Sequence, residues 1–168
     1  MSGFSSRCTS CCGPTRTAAS EGTFIYPPPV ACTVKRFEEL EHTADVGIRA
    51  FGNTLDELFR NAAAGMFRLI TDPETVKPVG EYEVRVRAKD VKALMFDFLS
   101  EILYIHETQK LLFSEFDVTV RGLAVDARVR GEKIDRDRHP LHMNIKAVTY
   151  REMIVDPERG LAQIIFDI

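Results

Sequence analysis

The sequence predicts an α+β fold in which two helices pack on a mostly antiparallel β-sheet within a single domain. Two stretches repeat their apolar residues at helical spacing, and shorter stretches alternate apolar and polar residues as strands do. Their order is β-β-α-β-α-β-β-β-β, and this mixture of helices with a run of hairpin-linked strands is typical of the α+β class. The chain has 168 residues, of which 45% are apolar, enough to bury one substantial core.

The N-terminal 33 residues differ in composition from the rest of the chain. They include the stiff stretch "YPPPV" and all of the cysteines, which are Cys8, Cys11, Cys12 and Cys32. A zinc or redox site would need further ligands at suitable spacing, and the histidines all lie beyond this segment. We therefore expect incidental cysteines in a disordered extension at residues 1–33, followed by a folded domain at residues 34–168. A true start of translation near Val34 is a second hypothesis.

The folded domain begins with two strands and a helix. "KRFEELE" and Val46–Phe51 are predicted strands, and a polar turn at residues 42–45 separates them. "TLDELFRNAAAGMFRLI" has one apolar face at helical spacing, and Thr54 with Glu57 predicts a capping box that satisfies two backbone donors. Pro73 follows shortly afterwards and prevents the helix from continuing.

The remainder of the domain contributes five strands and one helix. "EYEVRVRA" alternates strictly, which predicts a half-exposed strand. "DVKALMFDFLSEILYIHE" is a helix with Asp90 as its N-cap, and because its polar stripe is narrow we expect it to be the central core element. "FSEFDVTVRGLAVDARVRGE" predicts two strands that turn at Arg121–Gly122. "NIKAVTYREMIVD" and "LAQIIFDI" predict a closing hairpin around "PERG".

Charge and hydropathy exclude several classes of protein. The net charge is −3, and because three basic residues and one acidic residue lie in residues 1–35, the remainder carries −5. A surface that binds RNA or DNA through phosphates must be basic, so direct nucleic-acid binding is not the first expectation. No continuous apolar run of 18 residues and no apolar signal core occur. We therefore expect a cytoplasmic protein without a membrane partner.

Oxygen ligands for a divalent ion are the chemistry that the sequence offers. Asp167 and the terminal carboxylate of Ile168 end the last strand, and Asp45 would join them if that strand pairs beside the 42–45 turn. His42 lies in the same turn and is a candidate supporting residue. Structural alternatives stay open, because Asp45 could simply form the turn, His42 could be a hydrogen-bonded structural histidine, and Asp167 could be a solvated terminal side chain.

Other polar residues are weaker candidates. Lys146 interrupts an apolar strand and is either an outward-facing side chain or a cation that binds a phosphate or balances carboxylates. Asp97 and Glu101 share one helix face, where a solvated stripe is favoured over an acid–base pair. His139 and His142 lie in a polar loop, for which a surface position is expected. No phosphate loop, nucleophile elbow or Cys–His pair occurs in the folded region, so no residue receives a catalytic role.

Several stretches of the sequence together resemble one known family. "EHTADVGI", "IKAVTY" and the chain-ending "IFDI" resemble motifs of the archease family. "GNTLDELFRNAAAGMF" and "ALMFDFLSEILY" resemble its helices. Each motif is short, but they occur in the family's order, and the likeness extends from Arg36 to Ile168. The segment at residues 1–33 lies outside it and inherits no function from it.

The resemblance implies an accessory function rather than catalysis. Archeases assist the RtcB-type RNA ligase in tRNA splicing: they promote its guanylylation and multiple turnover and alter its nucleoside triphosphate specificity. They bind a divalent ion, reported as calcium, and the positions that match their ligands here are Asp45, Asp167 and Ile168. Mg²⁺ and Mn²⁺ would accept the same oxygen ligands. The implied partner is the ligase, with tRNA bound only indirectly through it.

Two other functions remain open. One is a metal-dependent hydrolase that uses Asp45, Asp167 and His42, against which the absence of a nucleophile counts. The other is a chaperone-like adaptor whose ion is structural.

Overall fold

The structure, a computed structural model, describes residues 36–41 and 46–168. The predictions for residues 1–33 and their cysteines, and those for His42 and Asp45, fall outside the described residues.

The elements occur in the predicted order, and the α+β class is confirmed. The helices are α1 (Leu55–Ile70) and α2 (Val91–Gln109), with a short 3₁₀ turn at Pro73–Thr75. The strands are β1 (Phe37–Glu41), β2 (Val46–Phe51), β3 (Gly80–Arg87), β4 (Leu111–Arg121), β5 (Ala124–Lys133), β6 (Ala147–Asp156) and β7 (Leu161–Asp167).

Helix α1 begins at the predicted cap and is the more buried of the two helices. Thr54 Oγ1 accepts a hydrogen bond from the backbone N–H of Glu57 at 3.2 Å, while the Glu57 carboxylate accepts from the N–H of Asn53, one residue before the usual partner in a capping box. Ten of its 16 residues are buried, against eight of 19 in α2, so the expectation that α2 is the central core element was wrong. Gly65 explains part of the difference, because without a side chain it lets Phe37 of β1 approach closely.

Helix α2 is fixed at both ends by its backbone. Asp90 Oδ1 accepts a hydrogen bond from the N–H of Ala93 at 2.7 Å, as predicted for the N-cap. Lys110 closes the helix in the left-handed conformation, with φ of 55°, and its N–H donates to the carbonyl oxygen of His106. The narrow polar stripe contains Glu101 and Tyr104, which are exposed.

The strands form two separate antiparallel sheets, a division that the alternation pattern did not predict. One sheet has the order β1-β2-β7-β6 and the other β3-β5-β4. Helix α1 packs on β2 and β4, and α2 packs on β3 and β6, so each helix contacts both sheets. Phe59 of α1 meets Phe98 of α2 at a ring distance of 5.7 Å, and Phe67 meets Phe113 of β4 at 5.3 Å. The helices thus join the two sheets through one aromatic core.

Two strands depart from regular pairing. In β4, the register with β5 shifts between Phe113 and Glu115, which adds Ser114 opposite Gly131. In β6, the register with β7 shifts between Thr149 and Ile154, and within this irregular segment Glu152 has a φ of 51°. Such bulges bend a strand and interrupt the hydrogen-bond ladder. In β6, which is an edge strand, the bulge also makes the edge a poorer template for pairing with another chain.

Candidate functional site

The end of the chain lies between two other strands of its sheet. β7 pairs with β2 on one side, where Phe166 is opposite Val46. It pairs with β6 on the other side, where Asp167 is opposite Ala147. Phe166 is fully buried, so the strand is anchored in the core up to the residue before Asp167. The exposed chain end is therefore held at a fixed place, beside the first residues of β2 and β6.

Lys146 contacts the chain end through its backbone and its side chain. Its N–H donates to the carbonyl oxygen of Asp167 at 2.8 Å, and its Nζ donates to a terminal oxygen of Ile168 at 3.0 Å. Lys146 lies just before β6 begins rather than inside the strand. A cation in this position compensates the charge of the terminal carboxylate.

The oxygen atoms at the chain end suit a hard divalent cation. Asp167 is exposed, and no described residue donates a hydrogen bond or forms an ion pair with its carboxylate. The Ile168 carboxylate has a second oxygen besides the one that faces Lys146. No group of three His, Cys, Asp or Glu side chains within residues 36–41 and 46–168 could hold an ion. A complete site therefore needs a ligand from elsewhere, and Asp45 directly precedes Val46, whose partner Phe166 directly precedes Asp167.

The loop that leads to Lys146 is held by a polar cluster around Glu132, whose own side chain is largely buried. The Glu132 carboxylate accepts hydrogen bonds from two guanidinium nitrogens of Arg138, at 3.2 and 2.8 Å, and from the N–H of Lys77 at 2.8 Å. It also accepts one from Nε2 of His139 at 3.2 Å. The Arg138 contact and the other hydrogen bonds lower the pKa of Glu132 to about 2.

His139 is buried inside this cluster, so the expected surface position was wrong for it. Its Nδ1 accepts a hydrogen bond from the N–H of Asp135, which leaves Nε2 as the N–H donor to Glu132. His142 does lie at the surface, with its Nε2 3.5 Å from a carboxylate oxygen of Asp72. Neighbouring loop histidines thus have different environments because only one meets an acceptor in the interior.

The same loop is fastened to the end of α1. Thr71 Oγ1 donates to the carbonyl oxygen of Pro140 at 2.8 Å, and Thr71 forms an isolated bridge with Leu141. The N–H of His142 donates to the carbonyl oxygen of Ile70 at 2.9 Å. These bonds fix the path of the chain shortly before Lys146, and so they help to place that side chain at the chain end.

No hydrogen bond among the described residues joins Asp97 or Glu101 to the chain-end oxygens, whose partner is Lys146. Asp97 lies near Tyr150 of β6, whose ring stacks on Phe96 of α2 at 4.0 Å. Partial burial, and then the Asp97 carboxylate, raise the pKa of the Tyr150 phenol. Glu101 is exposed on the helix surface. Both residues therefore fit the interpretation as a solvated polar stripe on α2, in which Asp97 also lies beside an aromatic pair.

The sequence and the fold of this chain match those of known proteins. The model of the Archease protein family matches residues 37–168. The chain belongs to the archease family. The match covers every helix and strand of the structure, and it confirms the resemblance that the short motifs indicated.

Curated archeases align with the same part of the chain. Protein archease of Methanopyrus kandleri is 41% identical over 138 residues, which cover 79% of this chain and 99% of the relative. Protein archease of Pyrococcus abyssi is 37% identical over 142 residues, which cover 80% of this chain and all of the relative. The family relationship therefore extends over nearly the full length of these relatives.

Solved structures of the family share the fold. The solution structure of protein 1598 of Methanobacterium thermoautotrophicum has a TM-score of 0.69 and 35% identity, and the match covers 79% of this chain and 99% of that protein. The crystal structure of an archease and possible chaperone of Thermotoga maritima has a TM-score of 0.54 and 18% identity, covering 78% and 96%. The second likeness supports the fold alone. No described helix of this archease-family chain is long and apolar enough to cross a membrane.

Proposed function

We propose that this chain activates an RNA ligase of the RtcB type in tRNA splicing, by promoting its guanylylation and multiple turnover and by altering its nucleoside triphosphate specificity. Membership of the archease family supports this function. The observation that carries the proposal is the exposed chain end, where Asp167 and the terminal carboxylate lie beside Lys146 and next to the strand that follows Asp45. Such a compact tip suits docking on another protein better than it suits chemistry of its own.

The proposal includes a divalent ion at this tip. Asp45, Asp167 and the Ile168 carboxylate would hold it, and calcium is the ion that the family resemblance implies, with Mg²⁺ or Mn²⁺ as alternatives. When bound, the ion would neutralise carboxylates that otherwise repel one another. Lys146 contributes a fixed positive charge to the terminal carboxylate at 3.0 Å. His42 is a supporting candidate in the turn before β2.

The protein acts in this proposal without a catalytic residue of its own. Within the described residues, Lys146 is the side chain that hydrogen-bonds the chain end, and no hydrogen bond pairs a nucleophile with a base there. A hydrolase that uses Asp45 and Asp167 is therefore not favoured. We propose instead that the acidic tip enters the active-site cleft of the ligase, whose metal and nucleotide it would rearrange. The ligase alone would contact the tRNA.

Guanylylation of a cognate RtcB-type ligase, with and without this protein, tests the proposal. We expect stimulation by the intact chain and its loss in Asp167→Asn and in a variant with one residue added after Ile168, because both changes alter the oxygen ligands at the tip. Asp117→Asn is a matched control, since Asp117 is an exposed strand carboxylate of the other sheet. Calcium binding to each variant is measured in parallel by calorimetry.

Three results would contradict the proposal in different ways. Full stimulation by the variant with one residue added after Ile168 would show that the terminal carboxylate plays no part in activation. Hydrolysis of GTP or RNA by the protein alone would favour the enzyme. If Asp167→Asn no longer bound calcium but stimulated the ligase as strongly as the intact chain, a chaperone-like adaptor with a structural ion would be favoured.

A further inference from the structure

A cavity that is separate from the chain end lies where the ends of the two helices meet the loop after β5. Its volume is about 700 Å³, within the range of small-molecule sites. Its walls come from the end of α1, the end of α2 and residues 134–144. Asp167, Ile168 and Lys146 are not among the lining residues.

His106 places a fixed hydrogen-bond acceptor at this cavity. The ring is buried, with 8% of the residue exposed, and it packs edge-on against Phe67 at 5.6 Å. Nδ1 bonds the carbonyl oxygen of Leu111, and because a carbonyl can only accept, Nδ1 carries the proton. Burial lowers the pKa of His106, so the ring is neutral and Nε2 is an acceptor. No described residue bonds Nε2, which leaves it for a ligand with an N–H or O–H group.

The lining of the cavity contains two cations, Lys110 and Arg136, and one carboxylate, Glu107. Among the described residues, no carboxylate lies within ion-pair distance of either cation. The backbone of Lys110 is fixed at the cavity, because it closes α2 in the left-handed conformation and its carbonyl oxygen accepts from the N–H of Ile134 at 2.9 Å. Cations thus outnumber carboxylates in the lining of this cavity, within a domain that is acidic as a whole, and this balance favours an anion.

The remaining wall is apolar and partly open. Ile134, Leu141 and Met143 line it, and Leu141 is 46% exposed although it lies in a loop that is otherwise fastened down. An inorganic anion would leave this apolar wall and the His106 acceptor unused, and a neutral molecule would leave the cations unused. The combination fits a ligand that joins an anionic group to a flat ring bearing N–H donors.

We propose that this cavity binds a nucleoside monophosphate. Lys110 and Arg136 receive the phosphate, the base lies against Leu141 and Met143, and an N–H of the base donates to Nε2 of His106. Nucleotide binding in this cavity regulates the protein independently of the ion that we propose at the chain end.

Calorimetric titration of the full-length protein with AMP and GMP tests the proposal, with adenosine and inorganic phosphate as comparisons. We expect at least one nucleotide to bind at least tenfold more tightly than either comparison compound, since each comparison lacks one half of the contacts. Lys110→Asn should weaken nucleotide binding about tenfold, the scale of one charge-assisted contact. Asn tolerates the left-handed backbone at this position. Lys89→Asn, an exposed lysine outside the cavity, is the control and should bind normally.

A second variant isolates the acceptor. In His106→Asn, the side-chain N–H₂ can keep the bond to Leu111 while Nε2 is lost, so binding should weaken with folding retained. If that variant does not fold, Arg136→Gln tests the second phosphate contact instead, and nucleotide binding should weaken. The proposal is overturned if neither nucleotide binds, if inorganic phosphate binds equally well, or if Lys110→Asn binds as tightly as Lys89→Asn. Because no ligase is present in this experiment, its failure leaves the proposed ligase activation untouched.

Discussion

At the residue scale, Glu132 shows how one carboxylate can fix a long loop. It accepts four hydrogen bonds, from Lys77 on one side and from Arg138 and His139 on the other. Its side chain is only 14% exposed, whereas that of Arg138 is 41% exposed, so solvent screens these bonds in part. The loop that these bonds hold leads to Lys146 and also forms a wall of the cavity around His106. A single residue far from the chain end therefore influences both candidate sites.

Glu132→Gln should lower the free energy of unfolding at pH 7 by roughly 2 kcal/mol. Because the pKa of Glu132 is about 2 in the folded protein and ordinarily 4.5, its ionic contribution is fully present above pH 4.5 and is lost as the pH falls through about 2. The stability difference between the variant and the intact protein should therefore shrink at pH 3. Urea unfolding at both pH values measures it. Glu83→Gln, at an exposed carboxylate, is the control, and a difference independent of pH would contradict the charge-based account.

At the element scale, the hairpin of β4 and β5 depends on two glycines. At Gly131, opposite the bulge in β4, an added Cβ would lie 1.7 Å from the carbonyl oxygen of Leu112, a backbone atom that cannot move aside cheaply. At Gly122, in the turn between β4 and β5, φ is 61° but a Cβ would meet no other atom within 4 Å. One glycine is thus required by space and the other by backbone conformation.

Replacement of each glycine by alanine should separate these two causes. Gly131→Ala should destabilise the protein by about 3 kcal/mol or more, because the β4–β5 ladder must separate locally to admit the methyl group. Gly122→Ala should cost about 1 kcal/mol, the price of the left-handed conformation alone. Urea unfolding of both variants gives the comparison. Equal losses would show that the bulge relaxes more readily than its close backbone contacts indicate.

At the scale of the whole molecule, the two helices join two sheets that share no strand. The chain crosses from the first sheet to the second through α1 and returns through the loop between β5 and β6, and β7 then enters the interior of the first sheet between β2 and β6. The last residues are consequently core residues, with Ile164 and Phe166 fully buried. This topology explains why the chain end is well anchored although most termini fray.

A protein that begins at Val34 should have the same midpoint of urea unfolding as the full chain. The family match starts at residue 37, and every buried core residue among those that the structure describes lies beyond it. Removal of residues up to Glu41 is the matched control, because it deletes β1 and the packing of Phe37 on Gly65, and it should destabilise the protein. A lower midpoint for the first variant would assign residues 1–33 a part in the fold.

Much of the fold could be predicted because it rests on local signals. Thr54 and Asp90 marked helix starts, alternation marked β3, and Gly122 and Gly160 marked turns that do have positive φ. The core role of α1 was underestimated, since its alanines and Gly65 gain burial only from the closeness of neighbouring strands. His139 was misplaced for a similar reason, because its acceptor Glu132 belongs to another element.

The sequence by itself determined the order of elements, their caps and turns, and the family, since these depend on side-chain periodicity and short motifs along the chain. Only the tertiary structure decided the division into two sheets, the contact of Lys146 with the terminal carboxylate, and the cavity around His106. Each of these joins residues that are distant in sequence but close in space. The periodicity of a segment shows which face is buried, but it does not identify the partner against which that face packs.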